Sequence, residues 1–180
     1  PLYRKHFPEK FSGVSPEELF RAVNRSEPSF IRVEADEVTY NLHIAVRFEM
    51  EKDLLEKKLS VKDAPAAWNE KMEKYLGIKP EKFSDGILQD VHWSQGTIGY
   101  FPTYTLGNLL SAQLYSGMKK EMDAESLIEK GEFAPILGWM KKKIHVHARK
   151  YEPGELTMKA CGEKLDPSYF LDYLEKKYSG

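Results

Sequence analysis

Ile31-Arg32-Val33-Glu34-Ala35-Asp36-Glu37-Val38-Thr39-Tyr40-Asn41-Leu42-His43-Ile44-Ala45-Val46-Arg47, running on to Leu59, is the stretch that decides the fold. Its pattern predicts one long helix over about 31–59. Arg32, Asp36, Thr39, His43 and Arg47 then follow one another at intervals of four, three, four and four residues. At roughly 100° per residue they share a polar stripe about 80° wide. Ala35, Val38 and Val46 border it on one side, Tyr40 and Ile44 on the other, and Glu34, Glu37 and Asn41 form the wet face. Polar groups set among apolar ones are costly unless they pair or bind something. Two readings stay open: a surface salt-bridge row with Arg32 paired to Asp36 one turn away, or a helix lining a cleft, with Arg32 offered to an anionic group.

Outward from this stretch the pattern stays helical. Ser15-Pro16-Glu17-Glu18 is an N-cap with proline at the first helical position, and Leu19, Phe20 and Val23 supply the expected buried face. Pro28 interrupts. A further helix starts near Asp63-Ala64-Pro65 and closes at Gly77. From 86 to 102, Gly86, Gly96 and Gly99 are interleaved with Ile87, Val91, Trp93, Ile98 and Tyr100, predicting irregular chain with a short strand or hairpin. Residues 104–122 read as a helix with Leu106, Leu109, Leu110, Leu114 and Met118 on its face. Shorter helices follow at 124–130, 133–150, 153–161 and 167–178, the last capped by Asp166-Pro167. No repeat, linker or low-complexity segment occurs. The expected fold class is all-α, with a minor strand or hairpin near 86–102 and with 1–180 forming a single helical region.

The 27 basic and 28 acidic residues leave a formal net charge of -1, which gives no broad electrostatic reason for a nucleic-acid partner or an anionic membrane. Lys141-Lys142-Lys143 reads as a solvated face. No apolar run approaches membrane-spanning length. The lone Cys161 excludes an intramolecular disulfide, reads as a structural thiol and suits a reducing compartment, so a cytoplasmic location is expected. The start at Pro1-Leu2-Tyr3, apolar and without an initiator Met, reads as a cut from a longer polypeptide.

The segment from Gly86 to Tyr104 is the second chemical signal. Its glycines permit close backbone approach to a ligand, and His92, Tyr100 and Tyr104 can donate to a developing oxyanion. The other reading is a packed aromatic loop whose histidine is satisfied locally. His145-Val146-His147 is no helical metal pair, because a spacing of two points the rings apart. The chain holds no His-Glu-x-x-His, phosphate loop or Gly-x-Ser-x-Gly elbow, and so no metal site of recognisable pattern.

Taken together, the two signals resemble signatures of the thermostable (Taq-type) zinc carboxypeptidase family. Ile31-Arg32-Val33-Glu34-Ala35-Asp36 is similar to its Ile-Arg-x-x-Ala-Asp motif. Gly86-Ile87-Leu88-Gln89-Asp90-Val91-His92-Trp93 is similar to its Gly-x-x-Gln-Asp-x-His-Trp motif. Every fixed position is matched, in the family's order. The likeness continues through Asn41-Leu42-His43-Ile44 and Tyr169-Phe170-Leu171-Asp172-Tyr173-Leu174, so it spans the whole chain.

The resemblance implies a mainly helical, often homodimeric enzyme, longer than this chain, that removes single residues from peptide C-termini. It also implies zinc or cobalt held by His-Glu-x-x-His and a glutamate on a following helix. Those ligands and an Asp-x-Arg-x-Thr motif lie N-terminal to the matched region and are absent here. The chain is therefore expected to be the C-terminal, substrate-side portion, to bind no metal alone, and to need the missing N-terminal half for catalysis. By the same resemblance Arg32 recognises the substrate carboxylate and Asp36 orients Arg32 or organises neighbouring loops. His92, with Tyr100 or Tyr104, stabilises the oxyanion. Gln89, Asp90 and Trp93 hold their loop, and His43 is either a cleft residue or a buried structural one. The alternative is a non-catalytic, stand-alone helical protein derived from that family, binding peptides or self-associating. A third option completes the site with a separately encoded N-terminal half.

Overall fold

The computed structural model describes residues 2–179. Their regular structure is entirely helical, with no strand among the described residues, as an all-α fold requires. The chain divides into two compact units between Gly99 and Tyr100.

The first unit opens with α1 (Leu2–His6), α2 (Pro8–Phe11) and α3 (Pro16–Val23). At the start of α3, Ser15 Oγ accepts from Glu18 N at 3.0 Å while a Glu18 carboxylate oxygen accepts from Ser15 N at 2.8 Å. This reciprocal pair satisfies two N–H groups that a helix start leaves without partners. Leu19 is half-buried, but Phe20 and Val23 are exposed, so the buried face expected of α3 is only partly covered.

The predicted helix over 31–59 is shorter at both ends, forming α4 (Tyr40–Leu55). Arg32–Glu34 makes a single 3-10 turn, and Ala35 is extended at ψ 145°. The cause is Asp36, whose Oδ1 accepts from Val38 N at 2.9 Å and Thr39 N at 3.0 Å. A carboxylate that captures nearby N–H groups competes with the helical ladder and favours a turn. At the far end Lys57 takes a positive φ of 58°, which stops the helix and returns Leu59 toward the core.

After α4 comes α5 (Ala64–Leu76), started by Pro65 and ended by Gly77 at φ 68°. Val46 and Met50 of α4 meet Ala64, Trp68, Met72 and Leu76 of α5 in the core of this unit. Both sets step by four residues, so each helix presents one stripe to the other. On α4, His43, Arg47 and Glu51 also step by four and are also buried, although polar. Residues 78–99 run in turns, and the expected strand or hairpin near 86–102 does not form. Short-range bonds such as Leu88 N to Phe83 O and Thr97 N to His92 O close the backbone on itself. Gly96 and Gly99, at φ 71° and 76°, bend it away from any ladder.

The second unit contains α6 (Pro102–Lys119), α7 (Ala124–Lys130), α8 (Phe133–Lys143), α9 (Pro153–Cys161) and α10 (Ser168–Tyr178). Leu114, Met118, Ala124, Trp139 and Ala160 form its core, with Leu110, Ile136 and Ile144 packed against it. Leu106, expected on the buried face of α6, is half exposed. Helix α8 ends before the expected 150, because the backbone leaves helical geometry at Ile144 and a 3-10 turn, His145–His147, follows. Buried Gln113 accepts from Asp166 N at 3.0 Å and donates to Lys164 O at 2.9 Å, fixing the entry to α10.

Two glycine substitutions should shift stability in opposite directions. Gly107 lies within α6 with nothing within 4 Å of an added Cβ, so Gly107→Ala stabilises the chain by about 0.5–1 kcal/mol. Gly77 has equal space but a left-handed φ, so Gly77→Ala destabilises it by about 1 kcal/mol. Urea unfolding of both variants reads the two signs; shifts of the same sign would contradict the backbone assignment.

Candidate functional site

Side chains fasten the turns of residues 86–99 to the rest of the first unit. Gly86 permits the tight start, since an added Cβ would lie 3.2 Å from Pro80 Cγ and 3.3 Å from the Lys82 carbonyl oxygen. Gln89 follows. Its Oε1 accepts from Arg32 N at 2.8 Å, and its Nε2 donates to Phe30 O at 2.9 Å and Asp85 O at 3.0 Å.

Asp90 is the centre of the arrangement. Its Oδ1 accepts from Arg32 Nε at 3.0 Å and Nη2 at 2.6 Å. Its Oδ2 accepts from Arg47 Nε at 2.6 Å, with Arg47 Nη2 also at 2.6 Å. Arg47 is fully buried and Arg32 nearly so, at 6% exposed. The Arg47 guanidinium further lies 4.8 Å from the centre of the Trp68 ring and donates to His43 O at 2.9 Å.

This packing sets the charge states. Burial pulls Arg47 down to about 10 against the pull of Asp90, which still leaves it charged at neutral pH. Burial also opposes the charge on Asp90, but the Arg32 hydrogen bond and the Arg47 charge outweigh it and hold the carboxyl below its ordinary range. His43, fully buried one turn before Arg47, is pushed down to about 4 by burial and then by the charges of Arg47 and Arg32. Asp90 and the Ser29 backbone act in the other direction without offsetting this. At neutral pH the imidazole is therefore uncharged.

The polar stripe read from the sequence is thus mostly buried, and it is not a row on one helix. In place of Asp36, the Arg32 guanidinium turns to Asp90, and its Nη1 donates to Tyr40 Oη at 2.9 Å. Asp36 organises the local turns: its Oδ1 accepts also from Ser26 Oγ, and its Oδ2 from Glu27 N and Thr39 Oγ1. His92 Nδ1 stands 4.0 Å from Asp90 Oδ1, so Arg32 and His92 converge on one carboxylate. Tyr100 and Tyr104 belong to the second unit, where their rings meet edge to face with centroids 5.3 Å apart.

Sequence reasoning missed Arg47 as a partner of Asp90, and it missed Glu51 altogether. Extending the stripe by one further step of four from Arg47 reaches Glu51, the signal that could have found it. Among the described residues no group of three or more His, Cys, Asp or Glu side chains could hold a metal ion. The described residues of this chain do not fit a metal centre.

Asp90→Asn removes the carboxylate that the two guanidiniums share and should destabilise the chain by about 3 kcal/mol, read by urea unfolding. A cost below 0.5 kcal/mol, of the order found at exposed surface sites, would contradict the cluster. Acid should act in two windows. The folded state keeps His43 neutral down to about pH 4, whereas the unfolded chain takes up that proton near pH 6.5. The unfolded state thus binds more protons between these values, and stability falls as pH drops from about 6.5 to 4. The Asp90 contribution is complete above about pH 4 and is lost as pH falls through its lowered folded value. In His43→Leu the upper window should flatten; an unchanged slope there would exclude His43 as its source.

The family model described as carboxypeptidase Taq (M32) metallopeptidase matches residues 1–178. Thermostable carboxypeptidase 1 of Pyrococcus furiosus is 48% identical over 179 residues, covering 99% of this chain and 36% of that protein. Carboxypeptidase 1 of Bacillus subtilis is 46% identical over 183 residues, covering the same 99% and 36%. The solved structure of the Pyrococcus furiosus carboxypeptidase matches with a TM-score of 0.94 and 47% identity, over 99% of this chain and 36% of that one. The chain thus spans little more than a third of the length of these relatives. With both motifs converging on Asp90 and the family model matching nearly end to end, the chain belongs to the carboxypeptidase Taq (M32) metallopeptidase family.

Proposed function

We propose that this chain forms the substrate-side part of a metal-dependent carboxypeptidase that releases single residues from peptide C-termini. The observation that carries the reading is the convergence of its two family motifs: Arg32 of one and His92 of the other both face Asp90. In this reading His92 donates to the oxyanion that develops as the peptide carbonyl becomes tetrahedral; the family resemblance gives the same role to Tyr100 or Tyr104. A donor already fixed in place lowers the barrier because it need not reorganise during the reaction.

Arg32 is proposed to meet the substrate's terminal carboxylate. Asp90 occupies the Nε and Nη2 edge of its guanidinium, so the approach is expected at Nη1, which donates to the Tyr40 hydroxyl. Hydrogen bonds to a charged acceptor are roughly twice as strong as neutral ones, so a carboxylate can displace Tyr40 while Asp90 keeps its hold. Asp36 supports this by fixing the turn that follows Arg32. The same reading takes zinc or cobalt as the metal, which the family's His-Glu-x-x-His region, absent from this chain, would hold and which would supply an activated water there. It extends to a homodimeric, cytoplasmic protein.

In a full-length protein carrying this sequence, His92→Ala should lower kcat by roughly 10²–10³ with metal content unchanged. Unchanged kcat would remove His92 from the reaction. Arg32→Ala should chiefly impair cleavage of free-acid peptides; equal, mild effects on free-acid and amidated peptides would sink the carboxylate role. A wild-type protein that binds metal yet releases no C-terminal residue would overturn the proposal as a whole.

A further inference from the structure

Glu51 lies one turn beyond Arg47 on α4 and is only 4% exposed. One of its carboxylate oxygens accepts from Trp93 Nε1 at 2.8 Å, and the other accepts from Gly99 N at 3.2 Å. Trp93 immediately follows His92, and Gly99 immediately precedes Tyr100. Between them the backbone is closed by bonds from Thr97 N to His92 O at 2.8 Å and from Gly96 N to Trp93 O at 3.0 Å. Residues 92–99 therefore form a small closed turn, fastened at Trp93 and Gly99 to a single carboxylate. The Trp93 ring also meets the Trp68 ring edge-on, with centroids 6.1 Å apart.

On the other side of His92, Asp90 is gripped by Arg32 and Arg47. Successive turns of α4 thus hold the chain on both flanks of His92. The choice of residue is chemically specific. Trp93 Nε1 and Gly99 N can only donate, so one side chain that serves both must offer two acceptor ends. A carboxylate does so, whereas the amide of glutamine offers one acceptor and turns its NH₂ toward the second donor. Burying so polar a side chain costs free energy unless it is hydrogen-bonded, and here both of its oxygens are given to these two N–H groups, which points to a need for their fixed placement.

We infer that Glu51 is a positioning residue for His92, acting through Trp93 and Gly99 to hold the imidazole where the reaction needs it. This rests on the proposed role of His92.

The test uses a full-length protein carrying this sequence, with kcat, KM and metal content measured for Glu51→Gln, Glu51→Ala, His92→Ala and the Glu51→Gln/His92→Ala double variant. Glu51→Ala should lower kcat by about 10²-fold, the loss expected from a displacement of about 1 Å. Glu51→Gln should lose less, with KM and metal content unchanged in both. The indole proton resonance of Trp93 should move in Glu51→Gln. In the His92→Ala background Glu51→Gln should cause no further loss, because a residue that acts through His92 has nothing left to position. Full kcat in both Glu51 variants, or the same Glu51→Gln loss with and without His92, would overturn the inference. Should Glu51→Ala fail to fold, the Glu51→Gln cycle decides alone. Full activity of His92→Ala would instead overturn the role of His92 itself, an outcome distinct from failure of the Glu51 variants.

Discussion

Two guanidiniums that water scarcely reaches share the carboxylate of Asp90, and the conformation of the 86–99 turns depends on that sharing. Each of these ions alone would be costly to bury, and each makes the burial of the others tolerable. The cluster sets three distant pieces of chain at once: the 3-10 turn at Arg32, the buried polar face of α4, and the loop carrying His92. Gln89 adds uncharged bonds to the main chain at Phe30 and Arg32, so the loop has little freedom to slide along its anchor. Its shape is imposed by the helix it lies against. Its own residues, with glycine at 86, 96 and 99, have weak conformational preferences.

The elements that were legible in the sequence are those whose ends carry local punctuation. Helix α5 carries Pro65 in its first turn and stops at left-handed Gly77, and α9 begins with Pro153 and stops at left-handed Gly162. Such signals act within one turn of chain and can be read without knowing the tertiary structure. Residues 31–39 misled for a related reason: the helical spacing was present, but the Asp36 side chain captured the N–H groups that the helix needed. The hairpin expected near 86–102 rested on glycine spacing and apolar content, which suit closed turns equally well.

The polar stripe on α4 was legible as a spacing of residues and not as a set of contacts. Arg32, Thr39, His43 and Arg47 are buried, which neither reading of the spacing stated, and the two arginines meet the loop from 86 to 99 at Asp90. The decisive pairs join residues 58, 43 and 42 positions apart, beyond the reach of any periodicity argument. The two motifs lie far apart in the sequence. Their meeting point, Asp90, became visible only in three dimensions. The second unit gives the contrast, since buried Gln113 holds the entry to α10 with uncharged bonds.

The cluster around Asp90 also has a temperature dependence of its own. The penalty for taking ions out of water shrinks on warming, because their hydration carries a strongly negative entropy. Apolar contacts such as those of Met50 and Met72 gain no comparable advantage at high temperature. Heating therefore shifts the balance within the first unit toward its charged anchor. The loop bearing His92 should stay seated on α4 while the contacts between α4 and α5 become the weaker part of the unit.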